Sequence, residues 1–108
     1  MSRRLLTDFE IMILLAIMRV GNDAYGVTIA REIEDTAGRT VQLPAVYHAL
    51  DRLEKQGLVT SRLGEATPQR GGRAKKHFTL TRAGVGSVQD TRNALTALWA
   101  EVPELATD

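Results

Sequence analysis

The sequence predicts a mainly α fold of the α+β kind, with three N-terminal helices, a two-stranded β hairpin and a long C-terminal helix. Three observations lead there. Helix start and stop signals divide the first half of the chain into three short segments with apolar residues at helical spacing. Two short segments that read as strands follow, Leu58 to Leu63 and Lys75 to Leu80, joined by a connection containing glycine and proline. A last segment repeats its seam residues at alternating intervals of three and four.

At 108 residues the chain suits one compact domain. Cysteine is absent, so no disulfide or thiolate metal site can staple the fold and packing alone must hold it. The longest apolar run, Ile11 to Met18, has 8 residues, against about 20 needed to span a bilayer. Arg3 and Arg4 precede this run, but Asp8 and Glu10 intervene and no small-residue cleavage pattern follows, which argues against a secretory signal. A soluble cytoplasmic protein without membrane attachment is expected.

Thr7 followed by Glu10 is a capping-box pattern, so the first helix should run from about Asp8 to Arg19 and stop near Gly21-Asn22-Asp23. Between Ile11 and Met18 it is apolar nearly all the way round, which calls for packing on two sides, one of them a second copy of the chain. The second helix fits Gly26 to Ala37, with Ile29, Ala30, Ile33 and Ala37 at helical spacing and Gly38 as a left-handed cap. Pro44 suits the first turn of a third helix that should end at Gly57. Its apolar Val46, Leu50 and Leu53 fall within about 60° of one another and form a buried stripe, while His48, Arg52 and Lys55 project from the opposite side beside the small Ala45.

Thr81 can cap the last helix, which should reach about Glu101 and stop before Pro103. Val85, Val88, Arg92, Leu95, Trp99 and Val102 are spaced 3, 4, 3, 4, 3, the rhythm of a coiled-coil seam; Leu98 widens it and Arg92 interrupts it. Pairing of this helix with a second copy is favoured over a solvated tail. The residues expected at the dimer contact are Ile13 and Ile17 on the first helix and Val88, Leu95, Trp99 and Val102 towards the end of the chain. The layout is then residues 1–81 as one functional part and 82–108 as the dimerisation helix and tail.

Net charge is only +1, but residues 66–81 hold Arg70, Arg73, Lys75 and Lys76 with no acid, so the rest of the chain is net negative. Positive potential is therefore concentrated on one hairpin tip, where it serves either solvation or an anionic partner. Three helices followed by a hairpin with a basic tip describe a winged helix-turn-helix. A helix fits the major groove and presents side chains to base edges, while a positive loop lies against phosphates. His48 and Arg52 point away from the buried stripe, which makes them candidate groove contacts; for Arg52 the competing reading is a surface ion pair.

The stretches AYGVTIAREIE (24–34), LPAVYHALDRLEKQGLVTSR (43–62) and GGRAKKHFTLTRAG (71–84), in this order and spacing, resemble the PadR family of bacterial transcriptional regulators, in its short branch with a single C-terminal helix. The resemblance implies a homodimeric DNA-binding repressor whose last helix packs against the partner's first helix and its own counterpart. An inverted-repeat operator follows from such a dimer. By position, Tyr47 matches the recognition-helix tyrosine that would touch the DNA backbone, although its place at the edge of the buried stripe equally suits a structural role. Gln42, just before the helix, would reach a phosphate or base, and the family context gives Arg70, Arg73, Lys75 and Lys76 phosphate or minor-groove contacts. Some relatives stack flat aromatic compounds on a tryptophan of the last helix, so Trp99 is either a ligand-stacking residue for a planar aromatic or hydrophobic effector or simply a dimer-core side chain.

Two other classes compete. For an enzyme there is no phosphate-binding glycine loop, since Gly71-Gly72 precedes a strand rather than a helix, and His48 and His77 stand on different elements without a carboxylate at ligand spacing. No catalytic residue, metal or cofactor is expected. A winged helix used for protein binding would instead present an apolar or acidic face on the third helix, whereas the face read here is polar and basic.

Overall fold

The computed structural model of the chain describes residues 5–64 and 75–106. Helix α1 (Asp8–Val20) opens on the capping box read from the sequence: the Glu10 backbone N–H donates to the Thr7 hydroxyl at 3.2 Å, and the Thr7 N–H donates to the Glu10 carboxylate at 2.8 Å. A 3₁₀ turn (Gly21–Asp23) leads to α2 (Gly26–Glu32), which widens into a π turn (Ile33–Ala37) closed by Gly38 in the left-handed conformation, φ 71°. Helix α3 (Leu43–Lys55) starts with Pro44 in its first turn. Strands β1 (Val59–Leu63) and β2 (Lys76–Leu80) pair antiparallel from Val59↔Leu80 to Leu63↔Lys76, and α4 (Arg82–Trp99) follows with Thr81 as its cap. Every expected element is present, with boundaries shifted by a residue or two.

One core joins these elements. Ile13, Leu14 and Ile17 of α1, Ile29 and Ile33 of the second helix, Val46, Leu50 and Leu53 of α3, Val59 of β1 and Phe78 of β2 are buried together. The hairpin is anchored by backbone as well as side chains: the Phe78 N–H donates to the Ala24 carbonyl at 2.8 Å, so the segment before α2 extends the sheet by one hydrogen bond. Helix α4 is held to the chain's start by the buried Thr91 hydroxyl, which accepts from the Leu6 N–H at 3.1 Å. Its last turns leave the core.

The packing corrects part of the expected dimer face. Ile13 and Ile17 are 0% and 3% exposed inside the protomer, and Val88 is 8% exposed, so these side chains already have their partners. The outward apolar side of α1 is instead carried by Leu15 and Met18, with Ile11 half-buried beside them. A helix that is apolar on every side shows no phase in its sequence; only contact with α2 and α3 selects which side turns inward.

Candidate nucleic-acid interface

Helix α3 is amphipathic in the way its sequence requires. Val46, Ala49, Leu50 and Leu53 are buried, and Gln42, Ala45, His48, Arg52 and Lys55 are exposed. Lys55 pairs with Asp51 at 3.0 Å along the helix, a solvated i,i+4 contact. Among the described residues Arg52 forms no ion pair, so its fork of donors is free to meet a base edge or phosphate. Gln42 occupies the cap position without using its side chain there.

Tyr47 lies between these two faces. Its ring covers Gly26 at the start of α2 so closely that a Cβ on Gly26 would fall 2.5 Å from the ring Cζ and 2.7 Å from the hydroxyl. A side chain at position 26 would require the Tyr47 ring to move. Tyr47 nevertheless remains 48% exposed, so one side chain locks α2 to α3 and still offers an edge to solvent. The packing on Gly26 suits the structural role, and the exposed edge suits contact with DNA.

At the base of the wing, the Lys75 ammonium sits 3.5 Å from the centre of the Tyr25 ring. His77 packs edge-on against the same ring, with centroids 5.5 Å apart, and its Nδ1 lies 3.2 Å from the Lys75 carbonyl. Arg62 on β1 donates to the Asn22 carbonyl at 3.1 Å. Lys76 turns the other way, to the Glu54 carboxylate at 3.2 Å, so a phosphate would have to compete with that acid for its ammonium. Arg70 and Arg73, the expected tip of the wing, lie outside the described residues. The structure thus links the base of the wing, the start of α2 and the end of α3, while placing His48 and Arg52 on the open face of α3.

Sequence reasoning missed Glu54 and Tyr25. Glu54 accepts from the Ser61 hydroxyl at 2.5 Å as well as from Lys76, and these two contacts, the hydroxyl first, hold its carboxyl below the usual carboxylate range. Its signal was weak, because one acid among basic residues reads as solvation. Tyr25 was visible in the AYG stretch, but its ring contacts join residues 50 or more apart in sequence.

At the opposite end, α1 and α4 enclose an apolar groove of about 510 Å³ lined by Ile11, Leu15, Val88, Leu95 and Trp99, with Arg92 at its edge. Leu95, Leu98 and Trp99 are 52%, 76% and 61% exposed. Such a run of large apolar side chains on one helix end is an exposed apolar patch of the kind that interaction or ligand sites use.

A family model for PadR-like transcriptional regulators matches residues 14–90, which span α1's second half, α2, α3, the wing and the first half of α4. The chain belongs to the PadR-like family. Solved structures agree in fold. A PadR-like transcription factor from Bacteroides fragilis is 23% identical with a TM-score of 0.72, over 91% of this chain and 89% of that one. A PadR-like regulator from Bacillus cereus is 21% identical with a TM-score of 0.70, over 90% and 89%, and RosR of H. salinarum is 27% identical with a TM-score of 0.69, over 93% and 83%. Among curated proteins no relative matches. The PadR fold is a winged helix, and this PadR-like chain is a DNA-binding transcriptional regulator; among its described residues no helix is long and apolar enough to cross a membrane.

Proposed function

We propose that this PadR-like protein is a homodimeric repressor that binds an inverted-repeat operator, with the α3 helices of two protomers in successive major grooves roughly 34 Å apart. The observation that carries this reading is the open face of α3, where His48 and Arg52 stand clear of the core on a helix whose last turn is tied to the wing through Glu54. His48 and Arg52 read base edges, Gln42 and Tyr47 meet the backbone at either side, and Lys75 with Arg70 and Arg73 supplies phosphate contacts, with Lys76 joining only when it leaves Glu54. Residues 1–81 carry the DNA-binding function and residues 82–108 the dimerisation function. Leu95, Trp99 and Val102 form the dimer contact together with Leu15 of α1, in place of the buried Ile13 and Ile17.

The groove beside Trp99 supports a further assignment: a planar aromatic or hydrophobic effector stacks on the indole and alters DNA binding. Titration of planar aromatics against Trp99 fluorescence, with Trp99→Ala as control, checks it; failure of every candidate to quench leaves Trp99 as a dimer-core residue. The regulator itself is tested by solution mass together with a mobility-shift assay on duplexes from the region upstream of its gene. Two protomers per specific duplex are expected, and a monomer that binds specific and random duplexes alike sinks the reading. A winged helix used only for protein contacts would leave duplex DNA unbound.

A further inference from the structure

Glu54 stands one residue from the end of α3, where the carbonyl end of the helix dipole disfavours a carboxylate. Arg52 and Lys55 at the same end suit the dipole; Glu54 does not. Its side chain is only 31% exposed, and both its contacts lie on the wing rather than on its own helix. Ser61 belongs to β1 and Lys76 to β2. Because Ser61 pairs with Phe78 and Lys76 with Leu63, the two donors stand two rungs apart on one face of the hairpin. One carboxylate therefore grips both strands of the wing.

The link between α3 and β1 is three residues long, Gln56 to Leu58, and the hairpin is already seated by Val59 and Phe78 in the core and by the Phe78–Ala24 backbone bond. The Glu54 contacts add a polar tie from the last turn of the helix to both strands. We infer that Glu54 is a positioning residue, which sets the wing against the recognition helix so that the two meet DNA as one rigid surface; this rests on the DNA-binding reading above. Lys76 then works inward, as the basic half of this clamp, and the outward phosphate contacts fall to Lys75 and to the arginines of the wing tip. Preorganisation of this kind favours the one duplex geometry on which helix and wing fit together, so its loss lowers preference for the operator more than attraction to DNA in general.

Two variants separate this role from simple charge. Glu54→Ala removes both contacts; Glu54→Gln keeps an acceptor for Ser61 and the side chain's shape while losing the ion pair. In the DNA-free protein, amide hydrogen exchange across β1 and β2 should quicken about tenfold in Glu54→Ala and less in Glu54→Gln, with α1 unchanged. In binding assays operator affinity should fall about tenfold in Glu54→Ala, with partial rescue in Glu54→Gln, while affinity for random duplex stays level or rises because one negative charge has gone. Unchanged wing exchange overturns the inference. So does an equal gain on operator and random duplex in both variants, which would make Glu54 only a repelling charge. A wild-type protein with no duplex preference would sink the regulator reading instead, and a loosened wing in the exchange data would still support the clamp.

Discussion

Helices α3 and α4 each bury one side in the same core, yet the sides they leave outside have opposite chemistry. The outer face of α3 carries Ala45, His48, Arg52 and Lys55, side chains at ease in water and attractive to a polyanion. The far end of α4 carries Leu95, Leu98 and Trp99, whose exposure costs about 25 cal/mol for each Å² left in water. The difference teaches that a domain this small can present two opposite surfaces on separate helices. The polar face suits a charged ligand, and on the proposed reading the apolar end is covered by a second copy of the chain.

Substitutions can break this comparison in order of effect. Leu53 is fully buried on the inner side of α3, so Leu53→Ala should cost about 2–5 kcal/mol of unfolding free energy, measured by denaturant titration. If it costs little, the inner side of α3 is not core. At the outer end of α4, Trp99→Ala should weaken self-association by about 2 kcal/mol or more, read from sedimentation equilibrium, with little effect on folding of the separated protomer. On the outer face of α3, Arg52→Ala should lose about 1–3 kcal/mol of discrimination at one base pair without changing mass or stability. Binding to a panel of single-base operator variants would show it.

The smallest effect sharpens the link between α3 and the wing. Glu54 has a lowered carboxyl pKa in the fold, so the stability it contributes is present above its ordinary value of 4.5 and is lost as pH falls through the folded value. Amide protection of β1 and β2 should therefore decline on acidification, and Glu54→Gln should flatten that part of the decline. An identical acid profile in both proteins would remove Glu54 from the wing's support.

Much of this was legible from sequence because it depends on neighbours in the chain. The Thr7–Glu10 box, Gly38, Pro44 and the stripe of α3 are local rules, and each appears where those rules put it. What escaped was set by tertiary contact. The all-apolar α1 shows no phase in its sequence, so the expectation of Ile13 and Ile17 at a dimer contact had no local rule to set against their burial in the core. The same limit hid the ring of Tyr47 over Gly26 and the carboxylate of Glu54 on Ser61 and Lys76, contacts between segments that no local pattern brings together. In α4 the seam rhythm placed Val88 and Trp99 on one stripe, but the helix leaves the core part-way, so one is buried and the other open.

The salt dependence of binding to a specific and a random duplex tests most directly whether the basic surface of α3 and the wing reads DNA. Plotted as log affinity against log salt, the slope should be close to −0.9 for each phosphate neutralised, with the specific duplex bound more tightly throughout, and Arg73→Ala should make the slope shallower by about one. A slope near zero, or equal affinity for both duplexes at every salt concentration, would contradict a sequence-reading regulator.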